Sequence, residues 1–130
     1  MTITTEKKIK LSRTVEKITK EENLVEQLKD LIVTFLDEEK AEKIIDINLH
    51  GKTQMADYLV VATGRGSKHI ASMADKLADK LTKSGYGEIT PEGDPKSNWI
   101  LIDAYDVIIH LFTEEARDTY RLEELWNFTS

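Results

Sequence analysis

Residues 56–77 read ADYLVVATGRGSKHIASMADKL. The apolar run Tyr58–Thr63 predicts a strand, and Gly64 and Gly66 follow it. From Ser67 onward, Ile70, Met73, Ala74, Leu77 and Leu81 recur at helical spacing. A strand, a glycine turn and a helix start together form the arrangement that holds phosphate, because the first helical amides and the helix dipole favour an anion. The same residues also admit a purely structural reading. In it the glycines allow a sharp strand-to-helix turn and Ser67 caps the helix. The loop TGRGSKH matches neither G-x-x-x-x-G-K-[ST] nor G-x-G-x-x-G.

Upstream, Leu24, Val25, Leu28, Leu31, Ile32 and Phe35 predict one amphipathic helix over 21–40. Ile44–Leu49 predicts a strand, with Ile45, Ile47 and Leu49 on one face and Ile44, Asp46 and Asn48 on the other. Downstream, Gly85 and Gly87 are placed to end the second helix by a left-handed cap. A short strand is expected at Glu88–Thr90. WILID and DVIIHLF then read as a hairpin about Ala104-Tyr105. A C-terminal helix begins at Glu114, with a break expected near Tyr120. The expected architecture is α/β: a single domain with a mixed sheet of about five strands flanked by helices.

With a two-residue loop, Ile102 faces Val107 and Ile100 faces Ile109 on one side of the hairpin. Leu101 faces Ile108 and Trp99 faces His110 on the other. Both sides are apolar, so both need cover. The turn is awkward, because Asp103 and Asp106 would oppose each other and Ala-Tyr suits a tight primed turn poorly. A looser four-residue turn, or hydrogen bonds to the two aspartates, would resolve this.

Charge divides the chain. Residues 1–20 carry six basic and two acidic residues, +4, against −6 for the whole, so 21–130 carry −10. The tail reads as flexible. The acidic body argues against a broad nucleic-acid footprint and suits a basic protein partner, although solubility alone would also account for it. The tail leaves a minor RNA contact open. Cysteine is absent, no secretory signal is visible, and no apolar run reaches the roughly 20 residues that span a bilayer. A cytoplasmic protein with no membrane contact is expected. His50, His69 and His110 are not spaced for chelation, and the Asp-x-Asp pair that holds magnesium in nucleotidyltransferases is missing after the glycine loop. No catalytic residue, cofactor or metal is assigned. A binding module is favoured over a nucleotidyltransferase-like enzyme or a nucleotide sensor using the Gly64–Ser67 loop.

The segments ADYLVVATGRGSKHI, EGDPKSNWILID, DVIIHLF and EEARDTYRLEELW occur in that order. Through them the chain resembles the ribosomal silencing factor family, also called the Iojap family, from about residue 24 to Trp126. The resemblance implies a nucleotidyltransferase-like topology without the catalytic carboxylates, over a domain of residues 21–130. It also implies binding to the large ribosomal subunit through ribosomal protein fourteen of that subunit. Joining of the small subunit would then be blocked, lowering translation when nutrients run short. A homodimer is expected when the protein is free. Trp99 and Ile100 match the family's contact pair, and Asp103, Asp106 and His110 match its Asp-x-x-Asp-Val-x-x-His signature. Tyr120, Leu122, Glu123, Leu125 and Trp126 match its terminal signature. Tyr105 stands where the family usually has glycine, which adds an aromatic near the implied contact surface.

Overall fold

The computed structural model describes residues 13–53, 56–94, 96 and 98–121, with side chains from Asn23 onward. Its elements run α1 (Arg13–Glu38), β1 (Glu42–Asn48), β2 (Tyr58–Gly64), α2 (Ser67–Lys83), β3 (Trp99–Asp103), β4 (Val107–Thr113) and α3 (Glu114–Tyr120). The sheet order is β1-β2-β4-β3. β1 and β2 pair antiparallel, β2 and β4 parallel, and β3 and β4 antiparallel, so the sheet is mixed.

Two expectations about extent need correction. Four strands are paired among the described residues, not about five, because Glu88–Thr90 joins no ladder. The edge strand β3 is met instead by an isolated bridge between Glu92 and Leu101, with Glu92 N–H to Leu101 O at 2.7 Å and Leu101 N–H to Glu92 O at 2.9 Å. Helix α1 starts at Arg13, so residues 13–20, expected in a flexible tail, have helical backbone. Residues 1–12 of that tail lie outside the described residues. The apolar stripe of α1 also meets the sheet later than the pattern suggests. Leu24 is 58% exposed, and among the described side chains of the helix Leu28 is the first that is buried.

The core has two layers. On one face of the sheet, α1 and α2 bury Leu28, Ile32, Leu36, Ile70, Met73, Leu77 and Leu81 against Val60, Ala62, Ile100, Ile102, Val107, Ile109 and Leu111. Lys29 of α1 reaches Asp46 of β1 at 3.2 Å. The opposite face carries Ile47, Leu59, Val61 and Phe112, and α3 covers it with Ala116. The even–odd division predicted for the hairpin is therefore present, and among the described residues the two faces differ in how much helix lies over them. Helix α2 ends as expected: Gly85 has φ 94, and the Tyr86 N–H returns to Leu81 O at 3.1 Å. Among the described residues no helix is long and apolar enough to cross a membrane.

Candidate functional site: an aromatic face beneath the short helix

The hairpin register is displaced by two residues from the tight-loop expectation. Trp99 pairs with Phe112, Leu101 with His110, and Asp103 with Ile108. A shift of two preserves the faces, because strand side chains alternate with period two. It removes the predicted opposition of Asp103 and Asp106, and it lengthens the turn. Ala104 N–H donates to Val107 O at 2.9 Å, Asp106 N–H to Ala104 O at 2.9 Å, and Tyr105 N–H to the Asp103 carboxylate at 2.9 Å. Tyr105 takes φ 67. Glycine adopts that conformation most readily, so here a tyrosine holds a backbone position that glycine would take at less cost.

The same shift sets His110 diagonally from Trp99. The indole Nε1–H of Trp99 donates to His110 Nδ1 at 2.9 Å. Burial pushes the imidazole pKa down to about 4. His110 is thus neutral near pH 7, with its proton on Nε2 and its Nδ1 lone pair facing the indole. Phe112 lies 5.3 Å from the Trp99 ring and 6.0 Å from the His110 ring. Tyr120 closes the group from α3, 4.8 Å from Trp99 and 5.8 Å from Phe112. Thr113 caps α3 by accepting the Ala116 N–H, and Arg121 ends it at φ 47, the break expected near Tyr120. Trp99 is half-buried and Tyr120 is 51% exposed, so the cluster presents ring surface to solvent.

The residues singled out in the sequence separate into three places. Trp99, His110 and Tyr120 meet on the α3 side of the sheet. Asp103, Tyr105 and Asp106 form the turn at the far end of β3. There Tyr105 is 63% exposed, with its ring 3.4 Å from the position a Gly87 Cβ would take. Asp106 O accepts the N–H groups of Asp57 at 2.8 Å and Tyr58 at 3.1 Å. Burial, and then the neighbouring Asp57 charge, raise the Asp106 pKa from its ordinary value. Ile100, expected as a contact residue, is 3% exposed and packs beneath the helices, so it offers no surface to a partner. Leu122, Glu123, Leu125 and Trp126 lie outside the described residues. Phe112 was not singled out, although its alternation with His110 places it on the same face. Arg117 gave no signal at all, since a charged residue in a polar helix reads as solvated.

The glycine loop is packed shut from inside. A Cβ on Gly64 would sit 2.5 Å from Ile70 Cγ2 and 3.0 Å from Met73 Cε. The N-cap of α2 is Gly66, in extended conformation and with no side-chain cap, so Ser67 is the first helical residue and not the cap. His69 ties the loop to the end of α1. Its Nδ1 accepts the Arg65 N–H at 3.0 Å, and its Nε2 bonds Glu39 O at 2.8 Å. Among the described residues no group of three or more His, Asp or Glu could hold a metal ion.

Comparison with known proteins gives concordant results. The family model "Ribosomal silencing factor during starvation" matches residues 21–130. The "Ribosomal silencing factor RsfS" of Zymomonas mobilis is 45% identical over 104 residues, covering 79% of this chain and 77% of that protein. A mouse protein named "Mitochondrial assembly of ribosomal large subunit protein 1" is 31% identical over 106 residues, 78% of this chain and 46% of that one. A crystal structure from Chromobacterium violaceum superposes with a TM-score of 0.75 at 29% identity, covering 79% of this chain and 86% of that one.

Proposed function

The chain belongs to the ribosomal silencing factor (Iojap) family, and from that membership we propose that it binds the large ribosomal subunit through ribosomal protein fourteen of that subunit. Seated there it blocks joining of the small subunit by occlusion, without catalysis, and so lowers translation when nutrients are limiting. The observation that carries this reading is the solvent-facing ring surface of Trp99 and Tyr120, held by His110 and Phe112. Half-exposed aromatic residues on a rigid sheet have the character of interface anchors. The −10 charge of residues 21–130 suits a basic ribosomal protein. The mouse relative's name ties that protein to the large subunit, which agrees with the choice of subunit.

The proposal includes a cytoplasmic location and a homodimer in the free state, with the aromatic surface covered by a second copy until the ribosome replaces it. The decisive experiment is co-sedimentation with isolated large and small subunits, followed by a subunit-joining assay. Binding confined to the large subunit, with joining blocked, is the expected outcome. Equal binding to both subunits, or to neither, would overturn the proposal.

A further inference from the structure

We propose that Arg117 is the positioning residue of the aromatic face: it locks α3 to the sheet in the one orientation that lays Tyr120 on Trp99. Arg117 is 4% exposed. Its Nη1 donates to Lys43 O at 2.7 Å and to Thr63 Oγ1 at 2.8 Å. These acceptors lie on two different strands, β1 and β2. Lys43 is suited to the task by a backbone irregularity. It has φ 50 and occupies the point where the β1–β2 register shifts between Glu42 and Ile45. The shift takes Lys43 out of the regular ladder, and its carbonyl accepts from the guanidinium. The Lys43 ammonium then reaches Glu114 in the first turn of α3 at 2.8 Å. One residue of β1 therefore holds α3 twice, by its carbonyl and by its side chain.

Tyr120 follows Arg117 by three positions, which places the two on neighbouring lines of the helix surface. A helix of seven residues has little packing of its own to set its rotation. Two hydrogen bonds from one guanidinium nitrogen to acceptors on different strands do set it. Stability alone does not explain an arginine here. Burying a charge is costly, and an apolar side chain of similar volume often packs as well or better. What the arginine adds is direction. The ring contact of 4.8 Å between Tyr120 and Trp99 is the outcome of that direction.

The inference rests on the reading of the aromatic face as the ribosomal contact, and the test separates the two. The full chain carries Arg117→Met, Thr63→Val or Tyr120→Ala. Each variant is examined by the indole N–H signal of Trp99 in a ¹⁵N correlation spectrum, assigned through Trp99→Phe, and by large-subunit binding. Arg117→Met and Thr63→Val are expected to move or broaden the Trp99 signal and to weaken binding, by roughly tenfold for Arg117→Met. Arg117→Lys is expected to restore little, because the shorter lysine side chain does not carry its ammonium to the place where Nη1 meets both acceptors. An unmoved Trp99 signal in Arg117→Met overturns the inference. Should that variant fail to fold, Thr63→Val decides in the same way. A moved signal with unchanged binding in both Arg117→Met and Tyr120→Ala would leave the positioning role standing and overturn the ribosomal reading of the face.

Discussion

The Trp99 indole donates to a histidine nitrogen that cannot be protonated without losing the bond, Nε1–H to Nδ1 of His110 at 2.9 Å. Folding therefore holds His110 neutral, with its pKa pushed down to about 4 by burial. The unfolded chain, with a pKa near 6.5, binds more protons between these values, so stability falls as pH drops from 6.5 toward 4. The loss should reach about 2 kcal/mol by pH 4.5. Urea denaturation at pH 7 and 4.5 should show a smaller difference for His110→Gln than for wild type. An equal difference in the two proteins would remove His110 from the account.

Trp99→Ala should weaken large-subunit binding by about 2 kcal/mol, roughly 30-fold. It should also lower stability, because the indole packs on Phe112 and Tyr120 as well as facing solvent. Since the ring is only half-buried, that loss should be about 2 kcal/mol, below the roughly 3–5 kcal/mol of a core tryptophan. Trp99→Phe keeps a ring and loses the N–H, costing about 1 kcal/mol. A melting curve and a subunit-joining assay on both variants separate anchoring from packing.

The two glycines of the loop should respond oppositely to alanine. Gly64→Ala drives a Cβ to 2.5 Å from Ile70 Cγ2 and should cost about 2–3 kcal/mol. Gly66→Ala meets nothing within 4 Å and should cost no more than about 1 kcal/mol, through the poorer N-cap alone. Thermal melts of the pair test whether the loop is built for packing. Equal tolerance would count against that view.

Removing residues 1–20 should leave folding and large-subunit binding in place, since the family match spans residues 21–130. Loss of subunit binding in the truncated chain, checked by co-sedimentation, would instead place an essential contact in the basic extension.

Binding should also slow as salt rises. A −10 body meeting a basic partner is steered by charge, and screening shortens that reach to about 8 Å at physiological ionic strength. Stopped-flow association rates at low and high salt would show it, and a flat profile would contradict it.

The strands and helices were legible because their side chains repeat with the right periods. Val60 and Ala62 alternate with Leu59 and Val61, and Ile70, Met73, Leu77 and Leu81 trace one helical stripe. The hairpin faces were legible for the same reason, since period two survives any even shift. The register was not legible, because it depends on the turn, and the left-handed Tyr105 has no sequence signature. Trp99 and Tyr120 were recognisable through the family resemblance. Ile100 beside them was not separable from a contact residue until its face was known. Arg117 and the bulge at Lys43 were invisible, because each has meaning only when two distant segments meet.

The unequal cover of the sheet has a kinetic corollary. Among the described residues, one face lies under two long helices, the other under a seven-residue helix whose own buried side chains are Ala116 and Arg117. Proteins open in pieces, and the piece with least apolar burial opens at the lowest free energy. Amide hydrogens of α3 should therefore exchange through excursions that leave β2, β4 and α2 intact. A partner approaching this side meets a structure that can lift its small helix and reseat it within a folded body. Recognition here can then include a reversible local melting step, with a rate set by the hold of α3 on β1 and not by the stability of the whole chain.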